Sequence, residues 1–191
     1  MRLPGRIAAA IAVLADIDAH KRPVAEALKA WGLGNRFAGA GDRAAIGNLV
    51  YDALRRRSSH AFAMGSDTPR ALVLSVVVRE WGENIDELNA SFEGDRFAPA
   101  AIEPDEVARL TAADPLAGAP DFVRADVPEW VAPHLAESFG EDWVAEAHDL
   151  SGRPPLDLRV NTLKANRDKA LRALGRFATE AAAIIPEAIR F

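Results

Sequence analysis

The chain has 191 residues, of which 49% are hydrophobic, 27% charged and 7% aromatic, and it contains no cysteine. That composition excludes a wholly disordered chain. The missing thiol excludes a disulfide scaffold, a thiolate zinc or iron–sulfur site and a cysteine nucleophile within these residues. The net charge of −5 conceals three blocks, with residues 1–60 at +5, residues 61–150 at −14 and residues 151–191 at +4. Two basic ends around an acidic middle make a phosphate-bearing partner worth testing.

No stretch reaches the roughly 18 apolar residues that cross a bilayer. The apolar run 7–14 follows Arg2 and Arg6, but it leads into Asp16 and Asp18 with no small-x-small cleavage pattern, so a cytoplasmic protein is expected. The same run opens the first predicted helix, over 5–19, with Ile7, Ile11 and Leu14 on one face. Pro23 suits the first turn of a second helix that Gly32 stops. The four glycines in 32–41 mark a loop, and Asp42 is placed to cap a long third helix reaching His60, with Ile46, Leu49, Val50, Ala53 and Leu54 as its apolar stripe.

Thr68 and Pro69 announce a further helix that buries Leu72, Val73, Val76 and Val77 before Gly82. Its run of valines also fits a buried strand; length and the Thr-Pro start favour the helix. Shorter helices are predicted over 85–91, 104–113, 128–139 and 141–150. The character changes at Ser151-Gly152-Arg153-Pro154-Pro155, a linker by composition. Beyond it Leu156, Leu158 and Val160 alternate with Asp157, Arg159 and Asn161, the pattern of a half-buried strand. Asn166 can cap a helix over 167–174 that ends at Gly175, and 189–191 reads as the start of another strand. The expected fold is therefore mainly α, a helical domain over 1–150 followed by the first elements of a small α/β domain over 151–191 that is expected to continue beyond this chain. There is no evident internal repeat.

Candidate chemistry is sparse. Gly39-Ala40-Gly41-Asp42-Arg43-Ala44 matches the spacing of a dinucleotide-binding turn, but a helix and loop precede it where that motif needs a strand. His20, His60, His134 and His148 fall at no metal-binding spacing and are expected to be surface or half-buried residues. No catalytic residue, metal site or cofactor site is assigned.

The cations are more informative. Arg2 and Arg6 share a helix face, Arg55, Arg56 and Arg57 close the third helix, and Lys169, Arg172 and Arg176 form a polar stripe opposite Leu171 and Leu174. A helix C-terminus attracts cations without any ligand, yet three consecutive arginines span about 200° of helix and cannot all serve one end. Guanidinium forks grip phosphates in pairs of hydrogen bonds.

Two stretches resemble a known family. Residues 42–56, D-R-A-A-I-G-N-L-V-Y-D-A-L-R-R, resemble the signature of the NusB-like helical domain. Leu158-Arg159-Val160-Asn161-Thr162-Leu163-Lys164 resembles a strand of the RsmB/Sun/NOP-type RNA cytosine-5 methyltransferases, and Pro128-Glu129-Trp130-Val131 with Phe139-Gly140 resembles a segment between them.

The resemblance implies the N-terminal region of a 16S rRNA methyltransferase: a NusB-like RNA-binding domain and the start of an α/β RNA-binding domain. The catalytic domain, with its cysteines and S-adenosylmethionine, would lie outside this chain, so no enzyme activity is expected of these residues alone. Ribosomal RNA is the implied partner, held through Arg2, Arg6, Arg43, Arg55, Arg56 and Arg57 on one side and Arg159, Lys164, Lys169 and Arg172 on the other. The rival readings are a NusB-like antitermination or interaction module docking a ribosomal or transcription protein, and a helical scaffold that only orients a catalytic domain.

Overall fold

The structure, a computed structural model, describes residues 1–175 and 185–190. It is mainly helical and is followed by a small α/β region with one two-stranded sheet. The chain divides into two compact units, Met1–Ser151 and Gly152–Phe191. Arg176 of the predicted basic stripe and Phe191 of the predicted last strand lie outside the described residues.

In the first unit α1 (Leu3–His20) has proline in its first turn and stops where Lys21 adopts a left-handed conformation, φ 51°. It buries Ile7, Ala10, Val13 and Leu14 and packs on α3 (Ala40–Arg55) and α5 (Pro69–Ser75). Between α1 and α3 runs α2 (Val24–Gly34). From α3 the core takes Ile46, Leu49, Val50 and Ala53, the predicted stripe apart from half-buried Leu54.

The valine run resolves as helix. Thr68 Oγ1 accepts the N–H of Ala71, Pro69 opens α5, and every residue from Ala71 to Val77 is buried. A helix apolar on all sides is one enclosed by other helices, which explains why no polar alternation marked it. Its last part, Val76–Glu80, widens into a π-helical turn. That turn sets Glu80 beside His60.

The third predicted helix is corrected in two places. Its N-cap is Gly39, and Asp42 sits in the first turn, drawn to Arg6 and the N-terminal amine. It also stops at Arg56 (φ −122°, ψ 38°), so that 57–64 form a separate helix, α4 (Arg57–Met64). The arginine triplet straddles that break. His60 is buried as well, contrary to the surface or half-buried position expected, because it has polar partners on both ring nitrogens: Nδ1 lies 2.8 Å from Ser75 Oγ and Nε2 3.0 Å from Glu80 Oε1.

The remaining helices of this unit are α6 (Ile85–Phe92), α7 (Pro104–Leu110), α8 (Asp121–Arg124), α9 (Ala132–Phe139) and α10 (Trp143–Leu150). Asn84 caps α6 by accepting two backbone N–H groups, and a reciprocal Glu103/Glu106 capping box opens α7. α7 is shorter than predicted, and the single turn of α8 is too short to leave a periodic signal. Short 3-10 turns precede α9 and α10. Among the described residues no single helix is long and apolar enough to cross a membrane.

In the second unit β1 (Asp157–Arg159) pairs antiparallel with β2 (Ala188–Arg190), Leu158 opposite Ile189. Between them, α11 (Arg167–Leu174) is capped by Asn166, whose side chain accepts the Lys169 N–H, and ends at Gly175, φ 50°. The half-buried alternation expected of β1 is not what forms: all three of its residues are exposed. Contact with α11 falls to β2, so Ala188 and Ile189 are the buried pair, with Val160 just beyond β1.

Candidate nucleic-acid interface

An arginine can grip a phosphate only if its fork is not already closed by a carboxylate, so the partners of each candidate decide what it can do. Arg6 donates through Nε to Asp42 Oδ1 at 2.9 Å, and the N-terminal amine reaches Asp42 Oδ2 at 3.2 Å. Those two cations hold the Asp42 carboxyl below its ordinary value, the Arg6 hydrogen bond contributing most. Arg43 donates to the carbonyls of Ala38 (3.0 Å) and Gly32 (3.1 Å), so it fastens the end of α2 to α3.

The triplet diverges from the break between α3 and α4. Arg55 meets Asp52 at 3.1 Å, a carboxylate only 4% exposed that also accepts the Trp81 indole N–H at 3.1 Å. Arg56 donates to Ser151 Oγ at 3.3 Å and lies 3.6 Å from Glu80. Arg57 makes two forks at once, to Asp18 (3.0 and 3.1 Å) and to Asp67 (2.8 and 2.9 Å). Hydrogen bonding to Asp18, then to Asp67, drives the Arg57 pKa upward. One cation between two carboxylates leaves a local excess of negative charge, which repels phosphate.

Arg2 is different: it is exposed and has no side-chain partner among the described residues. The same holds for Arg159, Lys164, Lys169 and Arg172 in the second unit. There Arg159 ends β1, and the turn after it is pinned by Asn161, whose Oδ1 accepts the Leu163 N–H at 3.1 Å and whose carbonyl accepts from Lys164 at 2.9 Å. Leu163 at the tip is 96% exposed. Lys169 and Arg172 stand three residues apart on the exposed side of α11, while Leu171 and Leu174 are half-buried.

Sequence reasoning passed over one arrangement. Two aromatic turns, around Phe37 and Phe97, line a cavity of about 650 Å³ with Arg2 and Arg96 at its edge. Each ring follows an arginine in a Gly-Asx-Arg-Phe-Ala pentapeptide, at 34–38 and 94–98. A search for short identical strings sixty residues apart would have found it; a search for longer repeats does not.

Ser75, His60 and Glu80 fall in the order of a hydrolytic relay, but Ser75 is wholly buried and no substrate can reach it. Among the described residues no three His, Asp or Glu side chains are grouped to hold a metal ion. The Gly39–Ala44 stretch joins α2 to α3 and has no strand before it. That stretch therefore lacks the strand–glycine loop–helix form of a dinucleotide-binding turn.

Residues 127–191, about a third of the chain, match the family model described as the RsmF/B-like methyltransferase ferredoxin-like domain. The match covers the whole second unit and also the segment of the first unit that carries α9 and α10. Neither the curated proteins nor the solved structures compared with the chain give a match.

Proposed function

We propose that this chain is the RNA-targeting part of an rRNA cytosine-5 methyltransferase, with methyl transfer performed by a domain outside these 191 residues. The match of 127–191 to the methyltransferase-associated ferredoxin-like domain carries the reading. The cations Arg159, Lys164, Lys169 and Arg172 in that same stretch, exposed and without partners among the described residues, support it, because their charge is open to phosphate. The 191 residues contain no cysteine, so a thiolate adduct to cytosine would need another part of the enzyme. The first unit, in this reading, is a NusB-like helical platform in the cytoplasm, and its arginines 6, 43, 55, 56 and 57 chiefly hold the platform together.

Affinity for a ribosomal RNA fragment, followed against salt concentration, tests the proposal. The wild-type chain is expected to bind with a steep salt dependence. Exchange of Arg159, Lys164, Lys169 and Arg172 to Gln is expected to lower the slope of log K against log salt by about 3, at roughly 0.7 per phosphate contact on single strands. It should weaken binding about a hundredfold at low salt, at roughly 1 kcal/mol or less for each lost contact. An unchanged slope would reject the second unit as the RNA-holding surface.

A further inference from the structure

Gly34-Asn35-Arg36-Phe37-Ala38 and Gly94-Asp95-Arg96-Phe97-Ala98 differ only in an amide against a carboxylate. One follows α2 and the other follows α6, and both close as tight turns in which the alanine N–H donates to the carbonyl of the Asn or Asp at 3.0 Å. At Asp95 the carboxylate also accepts the Phe97 N–H at 2.9 Å. Phe37 is 71% exposed and Phe97 58%, too open for either ring to serve the core.

Both rings line the same cavity of about 650 Å³, a size that suits one or two nucleotides. Its remaining wall includes the small residues Gly5, Ala8 and Ala12 of α1, which let a flat ring approach closely. Arg2 and Arg96 line it too, and Arg36 lies beside Phe37 in the chain. None of these three arginines has an acidic partner among the described residues, although Arg96 belongs to the acidic block 61–150. The Arg96 guanidinium instead lies 4.5 Å from the centroid of the Phe97 ring. Asp95 is the one acidic residue lining the cavity among the described residues, and one of its oxygens is engaged in the turn.

We propose that these twin turns bind two unstacked nucleotides of single-stranded RNA, with Phe37 and Phe97 stacking on the bases and Arg2, Arg36 and Arg96 pairing with phosphates. The proposal rests on the RNA-handling reading above and adds a site in the other unit. Open aromatic rings accept any base, because every base has a π-face, and flanking guanidinium groups hold the backbone. A duplex hides its bases and cannot use the rings. The second unit offers cations but no aromatic residue among its described residues, so the two surfaces differ in chemistry as well as place.

The test measures binding of the full chain to a fluorescein-labelled, unstructured 12-nucleotide RNA, with a 12-base-pair RNA duplex in parallel. Phe37→Ala/Phe97→Ala is expected to weaken single-strand binding at least about tenfold, at 1–3 kcal/mol per stacked base, with the salt slope unchanged. Arg36→Gln/Arg96→Gln should weaken it and reduce the slope by about 1.4. The phenylalanine variant should leave duplex binding unchanged, and the single exchanges Phe37→Ala and Phe97→Ala should each give part of the loss should the double variant fail to fold. Wild-type affinity in the phenylalanine variants overturns the slot while leaving the RNA reading intact. Absence of any single-strand or duplex binding by wild type at low salt overturns both. A dimer that dissociates in the phenylalanine variant while RNA affinity stays constant assigns the rings to a second copy, and equally overturns the slot.

Discussion

The candidate phosphate-binding cations of the two units meet contrasting surroundings. In the first, Arg6, Arg55, Arg56 and Arg57 are each met by a carboxylate, and Arg43 by backbone carbonyls. In the second, Arg159, Lys164, Lys169 and Arg172 stand in solvent without partners among the described residues. A basic block in a sequence therefore has two physical meanings. Where folding brings acids from 36 to 39 residues away, as with Arg6 and Asp42 or Arg57 and Asp18, arginine acts as a tie between helices. Where it does not, the same side chain remains available to a polyanion. Arg2, at the edge of the aromatic slot, follows the second pattern inside the first unit.

The largest test of the tie role is Arg70. It donates four hydrogen bonds, at 2.8 Å to each oxygen of Glu106, at 3.0 Å to the carbonyl of Ala100 and at 2.8 Å to that of Ala101. Arg70→Met should cost about 2–3 kcal/mol in urea unfolding, since it strands a half-buried carboxylate. The Arg70 hydrogen bonds hold the Glu106 carboxyl below its ordinary value near 4.5. A carboxyl lowered in the folded state contributes stability that is complete above the unfolded value and fades as pH falls through the folded one. Wild type should lose stability below about pH 4.5 more steeply than the Arg70→Met variant, and parallel acid profiles would contradict the pairing.

A smaller effect separates tie from grip more sharply. Arg57→Gln should cost about 1 kcal/mol of stability, discounted for its partial exposure, and change RNA affinity less than twofold. Asp18→Asn/Asp67→Asn removes both carboxylates and leaves the cation. If neutralisation is what keeps Arg57 from phosphate, that variant should bind RNA a few times more tightly, with a salt slope steeper by about 0.7. No gain in affinity would mean that the position of Arg57, and not its partners, decides the matter.

Much of the helical fold was legible because its signals are local. Thr68-Pro69, Asn84 and Asn166 each cap the helix they precede, and the stripe from Ile46 to Ala53 is buried as its spacing demands. The misreadings were tertiary. The break at Arg56 has no glycine or proline to mark it; its three guanidinium groups diverge toward Asp52, Glu80 and the Asp18–Asp67 pair. Asp42 has the chemistry of a cap, but Arg6 and the N-terminal amine draw it away. The burial of His60 depends on Ser75 and Glu80, 15 and 20 residues further on. Of the candidate sites, the cations were visible and their partners were not. The aromatic turns went unnoticed because five residues carry too little pattern until the fold sets them on one cavity.

The smallest effect concerns the exposed Asp157–Arg190 pair across β1 and β2, the counterpart in the second unit of the ties in the first. Arg190 donates to both carboxylate oxygens at 2.8 Å, and these hydrogen bonds hold the Asp157 carboxyl below its ordinary value. Both side chains are about two-fifths exposed, so water and salt screen their attraction, and ordering two flexible side chains offsets most of the gain. Arg190→Gln should raise the Asp157 titration midpoint, read by carboxyl carbon NMR, while leaving the urea midpoint where it was. The corresponding loss of Arg70 in the first unit should move both the Glu106 titration and the urea midpoint. A clear unfolding shift in the Arg190 variant would show that the short sheet relies on its ion pair as the helices do on theirs, and would remove the distinction between the units.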